Sequence, residues 1–295
     1  MPGYTLQDGL TLKNKLGATR YEALEAAETD YVQNRLFDFT RGQEPKGQFD
    51  LAHLKAIHRH LFQDVYEWAG RTRDERVVLS DGVIATEPVL RKIDGKAFMD
   101  GSLIAQSLQA ITGKLRGENY LRGLGREEFA TRAGAVMVDL NGVHPFREGN
   151  GRTQRVFMGQ LAQEAGYPLD FSVVSRERMI QASIAGNEKS DPSVMSRLFN
   201  EISDPARVAA LKKAIAGLEK HGFSWNDRYI ATMEPGHKVD VRLAGVAGEQ
   251  FMARTETAIL IGQTRDLPAP QPERGRDFVL VPTSWGRDPK EAISA

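Results

Sequence analysis

His144-Pro-Phe-Arg-Glu-Gly-Asn-Gly-Arg-Thr-Gln-Arg155 is the stretch from which the rest of the chain is read. It puts a possible base, an acid, a run of unhindered backbone amides and two guanidinium groups within twelve residues. Gly149 and Gly151 let a ligand approach the peptide N–H groups, and Asn150 between them tolerates unusual backbone angles. From residue 151 to 166 the composition is helical, so the turn falls at a helix N-terminus, whose free N–H donors and positive dipole end suit an anion. Arg152 and Arg155 share a face of that helix, where two forks can clamp phosphate oxygens. Glu148 is the acid of the stretch; magnesium commonly takes one carboxylate together with substrate phosphates. His144 has the side chain suited to take a proton from a hydroxyl near neutral pH.

Working outward, residues 126–142 are too apolar for anything but a buried helix, and its end delivers His144. Helical periodicity also covers 19–39, 51–63 with Asp50 as N-cap, 88–116 with an irregularity at Gly95 or Gly101, 176–186, 192–202 and 205–221. His53, His58 and His60 fall in the second of these helices. Their offsets do not bring all three to one face, so a metal site is not expected there. Arg76-Val-Val-Leu79, Ser80-Asp-Gly82 and Val83-Ile-Ala85 read as strand, turn and strand, a hairpin within a helical region. Beyond Trp225 the texture changes: 229–233, 238–243, 250–254, 258–261 and 278–281 are five strand-like runs parted by turn residues, the pattern of a small barrel such as an OB-fold. The expected organisation is a loosely attached arm over 1–18, a helical domain over 19–222 and a small all-β domain over 223–295.

Composition excludes several classes. The 39 basic and 39 acidic residues cancel, leaving no bulk charge to drive binding to nucleic acid or an anionic membrane. Residues 226–295 carry nine Lys or Arg against ten Asp or Glu and few aromatics, which argues against a stacking groove for nucleic acid. There is no cysteine, hence no disulfide or thiolate metal site, and no apolar run long enough to read as transmembrane or as a signal peptide.

The stretch opening at His144 resembles the signature of Fic domain proteins, His-Pro-Phe-x-[Asp/Glu]-Gly-Asn-Gly-Arg-x-x-Arg, with every specified position filled. Tyr66-Glu-Trp-Ala-Gly70 resembles a second family stretch and Asn119-Tyr-Leu-Arg-Gly-Leu124 a third, and the likeness extends to the Fic plus OB-like portion of Bartonella effector proteins. The resemblance implies a mainly α, Fic-type helical bundle with a short β-hairpin flap, followed by a small OB-like barrel. It implies a protein adenylyltransferase that moves AMP from ATP to a Tyr, Thr or Ser hydroxyl and releases pyrophosphate. His144 would be the base and Glu148 the magnesium ligand. Gly149, Asn150 and Gly151 would cradle phosphate, with Arg152 on the β-phosphate and Arg155 on the γ-phosphate. Asn119, Tyr120, Leu121 and Arg122 would border the adenine. Val77, Val78, Leu79 and Ser80 would form the edge that docks the target protein, and flap charges such as Arg73, Asp74, Glu75, Arg76 and Asp81 would help choose it.

Many Fic proteins carry an inhibitory motif, [Ser/Thr]-x-x-x-Glu-[Gly/Asn]. Here Glu118-Asn119 is preceded at the required place by Lys114, and Glu148-Gly149 by His144. A separate small antitoxin-like protein is therefore the expected inhibitor. Gly151, where the related kinase branch has Lys or Arg, favours the ATP orientation that presents the α-phosphate. The resemblance also implies a bacterial cytoplasmic protein delivered into host cells by type IV secretion. Use of another nucleotide, removal of AMP, an intracellular antitoxin-controlled toxin and a scaffold with a vestigial pocket are the competing readings.

Overall fold

The structure is a computed structural model that describes residues 3–92 and 95–285. Residues 1–2 of the expected arm, 286–295 of the expected β domain and 93–94 of an expected helix lie outside the described residues. The chain divides into two compact units, one of residues 1–122 and 136–165 and the other of 123–135 and 166–295. The change from helices to strands near residue 222 falls inside the second unit.

In the first unit, α1 (Tyr21–Thr40) and α2 (Leu51–Phe62) precede a hairpin of β1 (Val77–Val78) and β2 (Ile84–Ala85), followed by α3 (Ile104–Gly117). Asp50 caps α2 by accepting from the His53 N–H at 2.9 Å, which satisfies one of the free donors of the first turn. Leu54, Ile57, Leu61 and Phe62 then fall on one buried face. α4 (Arg126–Val143) runs through both units, and α5 (Asn150–Ala165) packs Phe157, Met158, Leu161 and Ala162 inside the first. The arm expected to be loose is anchored. Tyr4 is fully buried edge-on to Trp68, Leu12 is buried, and Thr5 and Leu12 form an antiparallel bridge. Two apolar residues in a short hairpin leave no periodic pattern to read.

The helix expected over 88–116 begins only at Ile104, after a 3-10 turn at Gly101–Leu103. The segment before it is tied down by the fully buried Arg73, whose guanidinium donates to the carbonyls of Glu87, Pro88 and Met99. Carbonyls engaged this way are not serving a helical ladder. Gly101 lies so close to Pro88 that a Cβ would come within 2.8 Å of the proline Cα.

In the second unit, α6 (Arg176–Glu188), α7 (Ser193–Ile202) and α8 (Pro205–Lys220) precede five strands: β3 (Tyr229–Thr232), β4 (Val239–Ala247), β5 (Gln250–Arg254), β6 (Ala258–Gln263) and β7 (Asp277–Leu280). They form one mixed sheet ordered β3-β6-β5-β4-β7, with β3 parallel to β6 and the other pairings antiparallel. Met233, Val241, Leu243, Phe251, Ala253 and Leu280 make its core. The five strand positions match expectation; the sheet has β3 and β7 at its two ends, and the closed barrel is not seen among the described residues. Glu201, fully buried, pairs with Arg178 and Arg207 and accepts from the Thr232 hydroxyl at 2.5 Å.

Candidate active site

α4 ends where His144 turns into the left-handed region, φ 48°, a conformation that costs a non-glycine residue about 1–2 kcal/mol. The surroundings hold it there. Arg73 donates from Nε to the His144 carbonyl at 2.9 Å, and its main-chain N–H donates to the Pro145 carbonyl at 2.8 Å. Asn150 braces the loop from the other side: its Oδ1 accepts from the Phe146 N–H at 2.9 Å and its Nδ2 donates to the Phe146 carbonyl at 2.7 Å. Phe146 in turn stacks on His58, ring centroids 3.9 Å apart.

His58 is fully buried. Its Nδ1 accepts from the Gly70 N–H at 2.8 Å, so the ring proton sits on Nε2 and donates to the Glu148 carbonyl at 3.0 Å. Burial lowers its pKa to about 3, so it is a neutral strut. His53 and His60 face other partners, the carbonyls of Pro45 and Arg35.

The His144 ring stacks on Phe98, centroids 3.8 Å apart. Burial first, then the charge of Arg73, draws its pKa down to about 4 against an opposing backbone hydrogen bond with Asn141. At neutral pH this imidazole is unprotonated and able to accept a proton.

At the start of α5, Gly149 has φ 81° and a Cβ there would come within 2.3 Å of the Phe62 ring, so only glycine fits. Gly151 is exposed, and a Cβ on it would meet only the Arg155 Nη1, at 3.8 Å. The Glu148 carboxylate is close to half exposed; its Oε1 accepts from the Gly149 N–H at 2.8 Å and from Arg152 at 3.2 Å. Arg152 also pairs with the buried Glu28 and lies over Phe62, 4.8 Å from the ring centroid. Arg155 has no acidic partner among the described residues, and burial followed by the Arg152 charge lowers its pKa.

Two details differ from the expected roles of the motif residues. Both polar atoms of the Asn150 amide are used on Phe146, so its side chain builds the turn and does not face a ligand. The Gly149 amide is covered by Glu148, which leaves Gly151 as the open glycine. Asn119, Tyr120 and Leu121 form a turn with φ of 51°, 54° and 61°. Three successive left-handed residues without glycine are costly, and such strain gathers at ligand sites. Tyr120 stands 5.7 Å from Phe49, with the Arg122 guanidinium 5.3 Å above its ring and Arg122 paired to Glu164.

The hairpin pairs Val77 with Ala85 and Val78 with Ile84. Val78 is 71 % exposed, Leu79 is buried, and Ser80 is tied through its N–H and hydroxyl to Glu67, both at 2.8 Å. On its other side β1 has no strand partner among the described residues. Arg73, read from sequence as a flap charge, is instead a core residue. Asp81 and Glu75 are engaged by Lys13 and Lys55 at 2.6 and 2.5 Å.

Sequence reasoning missed Glu28, Arg73, His58 and Phe62 as parts of the site. For Glu28 a signal existed: it stands four residues from both Leu24 and Val32, a charged residue on the buried face of α1. Elsewhere, in the second unit, a cavity of about 810 Å³ opens between α8 and the sheet; no residue of the motif lines it.

A helical domain that offers a neutral imidazole and, near a helix N-terminus, a half-buried guanidinium without an acidic partner among the described residues has the make-up of a nucleotide-handling enzyme. Residues 48–162 match the sequence model of the Fic/DOC family. A Bartonella henselae protein adenylyltransferase is 36 % identical over 270 residues, 91 % of this chain and 49 % of that protein, so the chain spans about half the length of this relative. The type IV secretion system effector protein BepA superposes with TM-score 0.87 at 33 % identity over 97 % of both chains. BepC from Bartonella tribocorum, with bound AMPPNP, superposes with TM-score 0.65 at 36 % identity, covering 68 % of this chain and 95 % of that one. The chain belongs to the Fic/DOC family.

Proposed function

We propose that this chain is a protein adenylyltransferase that transfers AMP from ATP to a hydroxyl side chain of another protein. The observation that carries the reading is Arg155, a half-buried cation without a carboxylate partner among the described residues, on the second turn of α5, in the helix that follows the His144 loop. A triphosphate supplies the missing charge. In this reading His144 takes the proton of the incoming Tyr, Thr or Ser hydroxyl as its oxygen attacks the α-phosphorus. The bond from the α-phosphorus to the bridging oxygen breaks, and pyrophosphate leaves against Arg152 and Arg155. The Gly151 amide and the helix terminus share the developing charge. The Asn119–Arg122 turn borders the adenine, and the free side of β1 registers an extended piece of the target by main-chain hydrogen bonds.

Glu148 suits magnesium, since its carboxylate is close to half exposed beside the anion site and no cluster of three His, Asp or Glu exists among the described residues to compete for the ion. Bound there with ATP, magnesium would neutralise phosphate charge. Bartonella-like delivery into host cells and a separate inhibitor supplying an acid to Arg155 belong to the same reading. No helix among the described residues is long and apolar enough to cross a membrane.

The test is to incubate the purified chain and its His144→Ala variant with α-labelled ATP and magnesium in host and bacterial lysates. Label on protein with the wild type, and none with a variant that still binds ATP, supports the reading. A wild type that labels nothing in either lysate overturns it.

A further inference from the structure

We propose that Glu28, on α1, is the residue that positions Arg152 for the β-phosphate, an inference that rests on the functional reading above. Glu28 lies outside residues 48–162, the part of the chain that matches the family's sequence model. Its side chain is 9 % exposed, and both oxygens are used: Oε1 pairs with Arg152 Nη2, and Oε2 accepts from the Tyr66 hydroxyl. Tyr66 is itself buried, stacked on Trp68 with centroids 4.3 Å apart. Burial first, then the negative charge of Glu28, pushes its phenol pKa well above the usual range, so it stays an O–H donor. Three elements thus meet at one carboxylate: α1 supplies Glu28, the turn after α2 brings the Tyr66 hydroxyl, and α5 brings Arg152.

Two roles compete for such a carboxylate. It could draw Arg152 away from phosphate, as a brake, or it could hold the arginine in the attitude phosphate requires. The burial decides between them. Pulling Arg152 off Glu28 would leave a buried carboxylate with the Tyr66 hydroxyl but without the Arg152 charge, which is costlier than keeping the pair. Glu28 and Glu148 both contact the same terminal nitrogen, Nη2, while the face of the guanidinium lies over Phe62. Among the described residues the hydrogen bond that Arg152 donates to an acid runs from Nη2 to Glu148, and the donors on Nη1 and Nε make no hydrogen bond to a carboxylate, which leaves them for phosphate. A guanidinium held on one edge and stacked on a ring loses little further freedom when an anion binds its other edge. Glu28 acts through Arg152 and is not itself a catalytic residue.

The experiment is calorimetry on the full chain with ADP and with AMP, each in magnesium, for wild type, Glu28→Gln, Arg152→Ala and the double variant. ADP carries the β-phosphate and AMP does not. A positioning role predicts that Glu28→Gln weakens ADP about tenfold, leaves AMP within about twofold, and adds nothing in the Arg152→Ala background. Equal weakening of ADP and AMP, or a loss that adds fully to that of Arg152→Ala, overturns the proposal in favour of general support of the fold. Tighter ADP binding by Glu28→Gln overturns it in favour of a brake. Tyr66→Phe, which keeps the carboxylate and the salt bridge but removes one hydrogen bond, should give a smaller loss confined to ADP, and serves if Glu28→Gln folds poorly. Binding is read without transfer, so failure of the transferase assay and failure of this proposal are separate results.

Discussion

Arg73 donates from Nε to the main-chain carbonyl of His144 at 2.9 Å, tying a fully buried cation to the residue that ends α4 in a left-handed turn. The same guanidinium reaches the carbonyls of Glu87, Pro88 and Met99, so one side chain secures the loop under the candidate base and the segment that carries Phe98 against its ring. Lysine offers no planar fork for these carbonyls. Arg73→Lys should lower stability by roughly 3 kcal/mol through unsatisfied buried acceptors, read from urea unfolding. An unchanged midpoint would show that the carbonyls find other donors.

Gly149 and Gly151 look alike in the motif but should answer oppositely to one methyl group. Gly149→Ala meets the Phe62 ring and keeps a positive φ, so it should destabilise by roughly 2–4 kcal/mol, partly relieved when Phe62 is also cut back to Leu. Gly151→Ala has space and a helical environment and should change stability by less than about 1 kcal/mol. Thermal melts of the two single variants and the Gly149/Phe62 pair check this. Similar melting temperatures for Gly149→Ala and Gly151→Ala would contradict it.

Acid should unfold the protein through its buried imidazoles. In the unfolded chain His58 and His144 protonate near pH 6.5, whereas in the fold their pKa values are about 3 and about 4. Below the unfolded value the unfolded chain binds more protons, so stability is lost as pH falls. The slope is about 1.4 kcal/mol per pH unit for each histidine, and their contribution is flat above about pH 7. A His58→Asn variant measured between pH 7 and 5 should show a shallower slope than the wild type.

The lowered pKa of His144 also bears on rate. In the free protein a base with a pKa of about 4 stays unprotonated through the range where an ordinary imidazole titrates. kcat/KM for AMP transfer with saturating magnesium should hold to about pH 5 and fall only below it. An acid limb centred near 6.5 would mean that the ring is more open to water than its stack on Phe98 implies.

In the second unit, Glu201 lies between two arginines and Thr232 with no exposure to solvent. Glu201→Ala leaves Arg178 and Arg207 as buried positive charges and should cost roughly 3–5 kcal/mol. Chemical denaturation of the variant checks this. Replacing all three ionic residues by apolar ones of similar volume should recover much of the loss.

The motif was legible because its chemistry lies close along the chain: a helix end, a glycine turn and a helix start need only local periodicity and backbone freedom to be read. The strand positions of the sheet were legible for the same reason, as alternation is local. The helix expected over residues 88–103 was misread because a side chain fifteen residues upstream takes its carbonyls. Arm and flap were misread at single residues, Tyr4 and Arg73, whose burial depends on neighbours distant in sequence.

By itself, then, the amino-acid sequence determined which residues could handle a phosphate and in what order helices and strands follow. Only the tertiary structure decided which of those residues face outward and which are spent on the frame. It turned Asn150 inward onto Phe146, placed Glu28 and Tyr66 behind Arg152, and set Arg73 beneath His144. Local propensity acts over a few residues, whereas burial and pairing of a charge depend on groups that meet only when the chain has folded.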